Sequence, residues 1–396
     1  MMDNVRQPSS RIVALDVMRG ITIAGMILVN NPGSWSYLYA PLAHAKWNGL
    51  TPTDLVFPFF MFIMGISTYL SLRKYNFQLT KASAMKVIRR VAGLYLVGLF
   101  IVWFSRFCHY WHGNPDAMAP DFFGRLCEAA WSFPTIRLTG VLARLAICYG
   151  LTAFTVMLLP HRHLPKFIVG LLLCYALLLF GGNGYYYGTE EHNLLSLVDH
   201  ALLGSQHLYN DNGIDPEGLL STLPSWAHVL IGFCVGRELG EGSAAGRSLR
   251  DKMLFLLLLG GVLTFSGLLL HFGCPINKKI WSPTFVLTTC GMGSTLLALL
   301  IYVVDERKKV RWSHFFQSFG VNPLFMYLMS DIVAILLGSV QVSSGERTRS
   351  LHGWIYQSMV PVMGELNASL AYALLFLLLC YLMALPLYRR KIYIRL

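Results

Sequence analysis

The chain has 396 residues, of which 55% are hydrophobic and 13% charged, with a formal net charge of +12. Soluble domains carry about 25% charged residues, so an ordinary soluble fold is excluded, and a length that would hold roughly two or three soluble domains is read as one membrane domain over residues 1–396. The positive charge does not point to nucleic acid, because Lys and Arg sit in short clusters between apolar runs, where membrane proteins carry cytoplasmic charge.

The residues through Arg11 are polar and carry no small-residue cleavage site, so the first apolar run is expected to stay in the chain as a helix. Runs of about 18 to 22 residues, long enough to cross a hydrocarbon core, centre near Ala24, Met64, Val97, Phe154, Leu173, Val229, Leu258, Leu296, Met329 and Phe376. They predict about ten transmembrane helices. The runs lack the alternation of a barrel, and open strands leave backbone groups unpaired in lipid, so the fold class is all-α and polytopic.

Orientation follows from the gaps. Arg73, Lys74, Lys81, Lys86, Arg89 and Arg90 follow the second run with no acid among them, and Arg162 and Lys166 follow the fourth. Arg237, Arg247, Arg250 and Lys252 follow the sixth, Arg307, Lys308, Lys309 and Arg311 the eighth, and Arg389, Arg390, Lys391 and Arg395 the last. By contrast, residues 185–217 hold no Lys or Arg and six acids, Glu190, Glu191, Asp199, Asp211, Asp215 and Glu217. The basic gaps and both termini are therefore expected in the cytoplasm. The opposite face receives residues 31–53, 109–139, 183–217, 275–280 and 342–354, and the longer of these are rich in Gly, Pro, Trp, Tyr and His, the side chains of binding loops. Cys148, Cys174, Cys234, Cys290 and Cys380 lie inside apolar runs, whereas Cys108, Cys127 and Cys274 fall nearer loop ends, which leaves a disulfide among them open.

Several polar residues stand where they cost energy. Asp16 and Arg19 open the first run, and Asn30 and Asn31 close it. Charges in such segments cost at least about 2.5 kcal/mol near the bilayer centre. At i, i+3 spacing Asp16 and Arg19 share a helix face, as an ion pair facing a cavity or as an end residue and a snorkelling Arg. The stretch HAKWNGLTPTDLVFPFF, residues 44–60, gathers imidazole, indole, amide and carboxylate before the second run. Thr51 or Thr53 reads as a helix cap with Pro52 in the first turn, which puts Asp54 at a helix start, where it serves the dipole or orients a histidine. His44 is either an interfacial histidine or a group titrating near neutrality. Arg144 in LTGVLARLAICY suits an anion or snorkels. In DPEGLLSTLPSWAHVL, Asp215 and Glu217 cap the next helix or bind a polyol. Lys278, Lys279 and Trp281 in PINKKIWSPTF break the positive-inside trend, as an anion or sugar site or as an interfacial belt.

The ordered set ALDVMRG, LVNNPGSW, HAKWNGLTPTDLVFPFF, LTGVLARLAICY, DPEGLLSTLPS, PINKKIWSPTF and FGVNPLFMY resembles the heparan-alpha-glucosaminide N-acetyltransferase family and its short bacterial relatives over nearly the whole chain. WNGLTPTDLVFPFF and DPEGLLSTLPS are its most specific pieces. The resemblance implies a transmembrane acyltransferase that takes the acetyl group of cytosolic acetyl-CoA to the amine of a glucosamine-type sugar on the other face. It further implies a bacterial inner-membrane location, no metal, and a homodimer as an open possibility. By motif, the family's active histidine falls on His44, its neighbouring asparagine on Asn30 and its acid on Asp54. Asp16, Arg19, Trp47, Asn48, Arg144, Asp215, Glu217, Asn277, Lys278 and Trp281 fall on positions around the cavity. Against the family pattern two departures are expected: a longer stretch between Asn30 and His44, and the lack of the luminal amino-terminal domain with its extra span.

This chemistry agrees with the residues themselves. An amine attacking a thioester must lose a proton, which calls for a group titrating near neutrality, and His44 is the histidine placed for that role. Asn30 has an amide to stabilise an oxyanion, and Asp54 a carboxylate to hold the imidazole tautomer. An acetyl-histidine intermediate is the other route. Two further readings remain at this stage. One is an amino-sugar transporter with Asp16, Arg19 and Arg144 at a midplane site, although no internal repeat supports it. The other is an acyltransferase acting on a different cell-envelope glycan.

Overall fold

The computed structural model describes residues 12–113, 122–131, 136–187, 192–209, 213–344 and 347–394; Glu190, Glu191, Asp211 and Arg395 lie outside the described residues. The chain forms α1 (Val13–Asn30), α2 (Val56–Leu72), α3 (Lys81–Gly113), α4 (Phe122–Ala130), α5 (Val141–Leu158), α6 (Leu164–Gly181) and α7 (Leu194–Leu203). After these come α8 (Thr222–Ala244), α9 (Leu249–Leu270), α10 (Pro283–Leu300), α11 (His314–Gly320), α12 (Pro323–Ser339) and α13 (Leu351–Arg389). A hairpin of β1 (Gln341–Ser344) and β2 (Arg347–Ser350), paired from Gln341 with Ser350, is the only sheet among the described residues. The protein is thus an all-α, multi-pass membrane protein.

Among the described residues, eight helices are long and apolar enough to cross a membrane, and the count is nine if α11 and α12, bent by 75° at their break, form one span. The expected ten is therefore too many, and the difference lies in two places. The run near Val229 is α8, a helix of 23 residues whose Ser225, His228, Arg237, Glu238 and Glu241 dilute its apolarity. Its polar side chains are tolerated because neighbouring helices enclose them: Ser225 and His228 are fully buried. The run near Met329 is broken because Pro323 disfavours helical geometry at Asn322, whose φ of −128° and ψ of 57° leave the helix. Asn322 then donates to the Ile392 carbonyl at 2.8 Å and accepts from the Ile394 amide at 2.8 Å, which ties the C-terminal tail to this break.

Close crossings hold the bundle. Gly65 of α2 and Gly232 of α8 face each other: a Cβ on Gly65 would strike the Val229 carbonyl, and one on Gly232 the Phe62 carbonyl. Small residues that let backbones approach substitute for a hydrophobic drive that lipid does not supply between helices. Gly20 of α1 and Gly320 of α11 form a second crossing of this kind. The start of α1 is held from afar, since Asp305 accepts hydrogen bonds from the Val13 and Ala14 amides at 3.0 Å each, satisfying donors that a helix leaves open.

The two ends of the bundle differ. Arg19 at the start of α1 bonds Ser67 near the end of α2 at 2.9 Å, so these two helices run antiparallel and the basic gap after α2 lies at the α1 start. The segment that joins α1 to α2, with His44 and Asp54, lies at the other end. All eight cysteines are free, so Cys108, Cys127 and Cys274 form no disulfide. Cys274 instead meets the Tyr185 hydroxyl at 2.6 Å.

Candidate active site

Asp54 organises the segment ahead of α2. Pro52 starts a short 3-10 turn with Thr51 as its cap, and the cap is reciprocal, because Thr51 and Asp54 each serve the other's backbone. Asp54 Oδ2 accepts from the Thr51 hydroxyl at 2.9 Å and from the Thr51 and Ala45 amides at 3.1 Å. Its Oδ1 lies 2.7 Å from His44 Nδ1. The capping and the histidine-orienting readings of Asp54 are therefore both realised, one by each carboxylate oxygen. Asp54 is buried, whereas the His44 side chain is 43% exposed, so the imidazole is anchored on its inner edge and open on its outer one.

Lys278 completes the cluster, with Nζ 3.3 Å from Asp54 Oδ1 and 3.0 Å from His44 Nδ1. The ammonium and an Nδ1–H are both donors, so they share Asp54 Oδ1 as acceptor rather than bonding each other. The shorter contact to His44 assigns the proton to Nδ1 and leaves Nε2 with its lone pair. Burial pushes the Lys278 ammonium below its usual pKa, against the opposing pull of Asp54. The lysine is placed by its turn: the Asn277 amide donates to Ser282 Oγ at 3.0 Å, the Ser282 amide to the Asn277 carbonyl at 3.0 Å, and the Trp281 amide to the Lys278 carbonyl at 3.0 Å. Asn277 also donates to the Asn48 side chain at 3.1 Å, and the Gly49 amide to the Ile276 carbonyl at 2.7 Å, which staple this turn to the His44 segment. Trp47 donates to the Tyr185 carbonyl at 3.0 Å and packs on Tyr187, with ring centroids 4.7 Å apart.

Trp281 is not part of an interfacial belt. It is fully buried at a left-handed φ of 53°, packed against Phe57 and Phe285 with the Arg144 guanidinium 5.4 Å from its ring. Nor does Arg144 snorkel. It is 1% exposed, and it donates to the Gly218 carbonyl at 2.8 Å, to Ser225 at 3.2 Å and to Ser221. It thereby holds the loop that carries Asp215 and Glu217. Those two acids do not cap α8, which begins at Thr222. They instead grip Arg137, at 2.6 Å from Asp215 and 2.7 Å from Glu217, and Thr139 donates to Asp215 at 2.5 Å. Burial would raise the Asp215 pKa, but the Arg137 charge outweighs it and holds the carboxyl below its usual range.

At the opposite end, Asp16 and Arg19 form the expected i, i+3 ion pair at 3.0 Å. Arg19 also lines a cavity of about 900 Å³. Along α2 this cavity touches Phe60, Ile63, Met64, Ser67 and Ser71, a single helix face at i, i+3, i+4 spacing, and Tyr75 in the turn just past its end. The stretch of α2 from Phe60 to Ser71 corresponds to about 16 Å, roughly half of a hydrocarbon core of about 30 Å. Its mouth carries Lys86, Arg89 and Arg90 of α3, and its inner end stops roughly 10 Å along α2 from Asp54. The structure thus brings His44, Asp54, Lys278, Asn277, Asn48 and Trp47 together, and sets Asp16 and Arg19 apart at the other end, with Arg19 on the large cavity. Asn30 ends α1 as an exposed residue and makes no side-chain hydrogen bond among the described residues.

Sequence reading missed two features. Lys86, Arg89 and Arg90 were read only as cytoplasmic charge, although their i, i+3, i+4 spacing already put them on one helix face. Arg137 was not singled out, although an arginine between acid-rich loops on the less basic side was the available signal.

A family model described as heparan-alpha-glucosaminide N-acetyltransferase, catalytic, matches residues 11–244. The heparan-alpha-glucosaminide N-acetyltransferase of Homo sapiens is 26% identical over 376 residues, covering 81% of this chain and 53% of the relative. That of Mus musculus is 25% identical over 387 residues, covering 83% and 54%. The chain spans about half the length of these curated relatives. Because the matched region contains the whole segment joining α1 to α2, with His44 and Asp54, and reaches the end of α8, the chain belongs to the heparan-alpha-glucosaminide N-acetyltransferase family.

Proposed function

We propose that the protein is a transmembrane acetyltransferase that moves the acetyl group of acetyl-CoA, bound from the cytoplasm, to the amine of a glucosamine-type sugar on the opposite face. The observation that carries this reading is the pairing of an oriented, exposed imidazole at one end of the bundle with a long cavity that approaches it from the basic end. The names of the relatives supply the acetyl group and the glucosaminide acceptor. A nucleotide is too polar for lipid, so its phosphates rest at the mouth on Lys86, Arg89 and Arg90, while the pantetheine arm lies along α2 past Met64 and Ile63 towards Phe60.

At the reacting end, the amine nitrogen attacks the thioester carbonyl carbon, the C–S bond breaks and CoA leaves as its thiol. His44 Nε2 takes the proton that the amine loses and passes it to the departing CoA sulfur, while Asp54 stabilises the transient imidazolium through Nδ1–H. If His44 is itself acetylated first, the same lone pair is the nucleophile. Asn30 is the proposed oxyanion donor. Trp47, Asn48 and Asn277 shape the acceptor side, and Arg144, Asp215, Glu217 and Trp281 position the loops around it. The proposed setting is a bacterial inner membrane with both termini cytoplasmic.

Sealed vesicles of known orientation test the division of substrates. Acetylation is expected with acetyl-CoA on the basic face and glucosamine on the other. A requirement for both on one face removes the threaded donor, and uptake of glucosamine without acetylation makes the protein a transporter. Orientation has its own test in intact cells. An impermeant thiol reagent is expected to reach His192→Cys and not Gln78→Cys, and the reverse pattern inverts the topology.

A further inference from the structure

The large cavity stops short of His44, and its lining residues nearest that end are Phe60 of α2 and Leu145 of α5. Phe57 stands three residues from Phe60 and three from Asp54, so it occupies the turn of α2 between the cavity and the His44 cluster. Arg144 is the residue before Leu145, one step nearer the start of α5. The Trp281 ring fills this level. It packs on Phe57, Phe285 and His228 with centroids 5.4, 5.0 and 5.9 Å away, and the Arg144 guanidinium lies 5.4 Å from it. Four helices, α2, α10, α8 and α5, thus meet around one indole, which closes the way from the cavity to His44.

Three side-chain atoms at this level have no hydrogen-bond partner among the described residues: Trp281 Nε1, Arg144 Nε and His228 Nδ1. All three residues are at most 1% exposed. Two of the atoms are donors. The third is an acceptor, because His228 Nε2 lies 2.9 Å from the Pro58 carbonyl and must carry the ring proton to bond it, which leaves the lone pair on Nδ1. Buried polar groups without partners are costly and uncommon in native structures. Trp281 bears a second cost, since its φ of 53° is a left-handed backbone under a bulky side chain. Such strain gathers at ligand clamps and switch regions. Two donors and one acceptor, buried around one ring, are the complement of a secondary amide.

We propose that these atoms seat the amide of the pantetheine arm nearest its sulfur, and that the Trp281 ring is the gate that turns to admit it. The amide carbonyl oxygen takes the N–H groups of Trp281 and Arg144, and the amide N–H donates to His228 Nδ1. Five bonds join the amide carbon to the thioester carbon, roughly one helix turn when extended, the same step that separates Phe57 from Asp54. An arm held at this level therefore presents its thioester to His44. The inference rests on the acetyl-CoA reading of the cavity and adds the residues that hold the middle of the donor.

Calorimetry on the purified full-length protein, with no sugar present, tests the seat with CoA and with adenosine bisphosphate, which lacks the arm. Trp281→Phe keeps an aromatic ring and removes the N–H. It is expected to weaken CoA binding about tenfold and to leave adenosine bisphosphate within about twofold of wild type. A second measurement needs no variant. In the wild type, isotope-labelled at its indole nitrogens, CoA is expected to move one buried indole N–H resonance downfield, and adenosine bisphosphate none. Unchanged CoA affinity in folded Trp281→Phe overturns the proposal, as does equal weakening of both probes or the lack of an indole shift with CoA in the wild type. Failure of acetyl transfer in vesicles, with the indole shift intact, would overturn the acetyltransferase reading and leave this seat standing.

Discussion

His44→Ala is expected to abolish acetyl transfer, with a loss of at least about 10³-fold in turnover, while the protein still folds and still binds acetyl-CoA. The loss of a general base typically costs 10² to 10⁴, and loss of a nucleophile removes the covalent route altogether. Folding should survive because the His44 side chain is 43% exposed and its one strong partner, Asp54, keeps three other donors and Lys278 when the imidazole is gone. Asp54→Asn should be nearly as damaging to turnover, at roughly 10² to 10⁴, because an amide cannot stabilise the imidazolium. It should also lower stability, since it weakens the cap of the turn ahead of α2. Asn30→Ala, as loss of an oxyanion donor, is expected to cost about 10² to 10³. Turnover of purified protein, set beside its melting temperature and acetyl-CoA binding, separates these cases. Near-normal turnover in folded His44→Ala would remove His44 from the mechanism.

Replacing Lys86, Arg89 and Arg90 together with Gln is expected to raise the apparent KM for acetyl-CoA by about 10² to 10³, and that for the amino sugar by less than about threefold. Each charge-assisted phosphate contact is worth on the order of tenfold or more, and only the donor carries phosphates. Arg90 alone should matter less than the triple change, because its guanidinium also lies 4.5 Å from the Tyr149 ring. Arg19→Gln should have a smaller effect on the donor than the triple change, since Arg19 already serves Asp16 and Ser67. Initial rates at several ionic strengths check this, as salt should weaken the wild type towards the variant. Equal rises in both KM values would instead indicate collapse of the cavity.

The sequence by itself determined the fold class and the alternation of basic and acidic gaps, narrowed the cap beside Pro52 to Thr51 or Thr53, and put Asp16 and Arg19 on one helix face. Each of these depends on residues near one another along the chain, or on a composition that only lipid tolerates. The family was legible for the same reason, because its most specific pieces are short and contiguous. The span count was not, since apolarity along α8 says nothing about which neighbours cover its Ser225 and His228, and only the bend before Pro323 shows how α11 meets α12. Tertiary structure alone brought Lys278 to Asp54 across more than 200 residues of chain, turned Arg144 inward onto Ser221 and Trp281, and gave Asp215 and Glu217 to Arg137 rather than to a helix start. It also decided that Lys86, Arg89 and Arg90 border a cavity and not merely solvent. The physical reason is common to all of these: local spacing specifies which face of a helix a side chain occupies, but its partner is set by how distant helices cross, and those crossings depend on the close backbone contacts at Gly65 with Gly232 and Gly20 with Gly320.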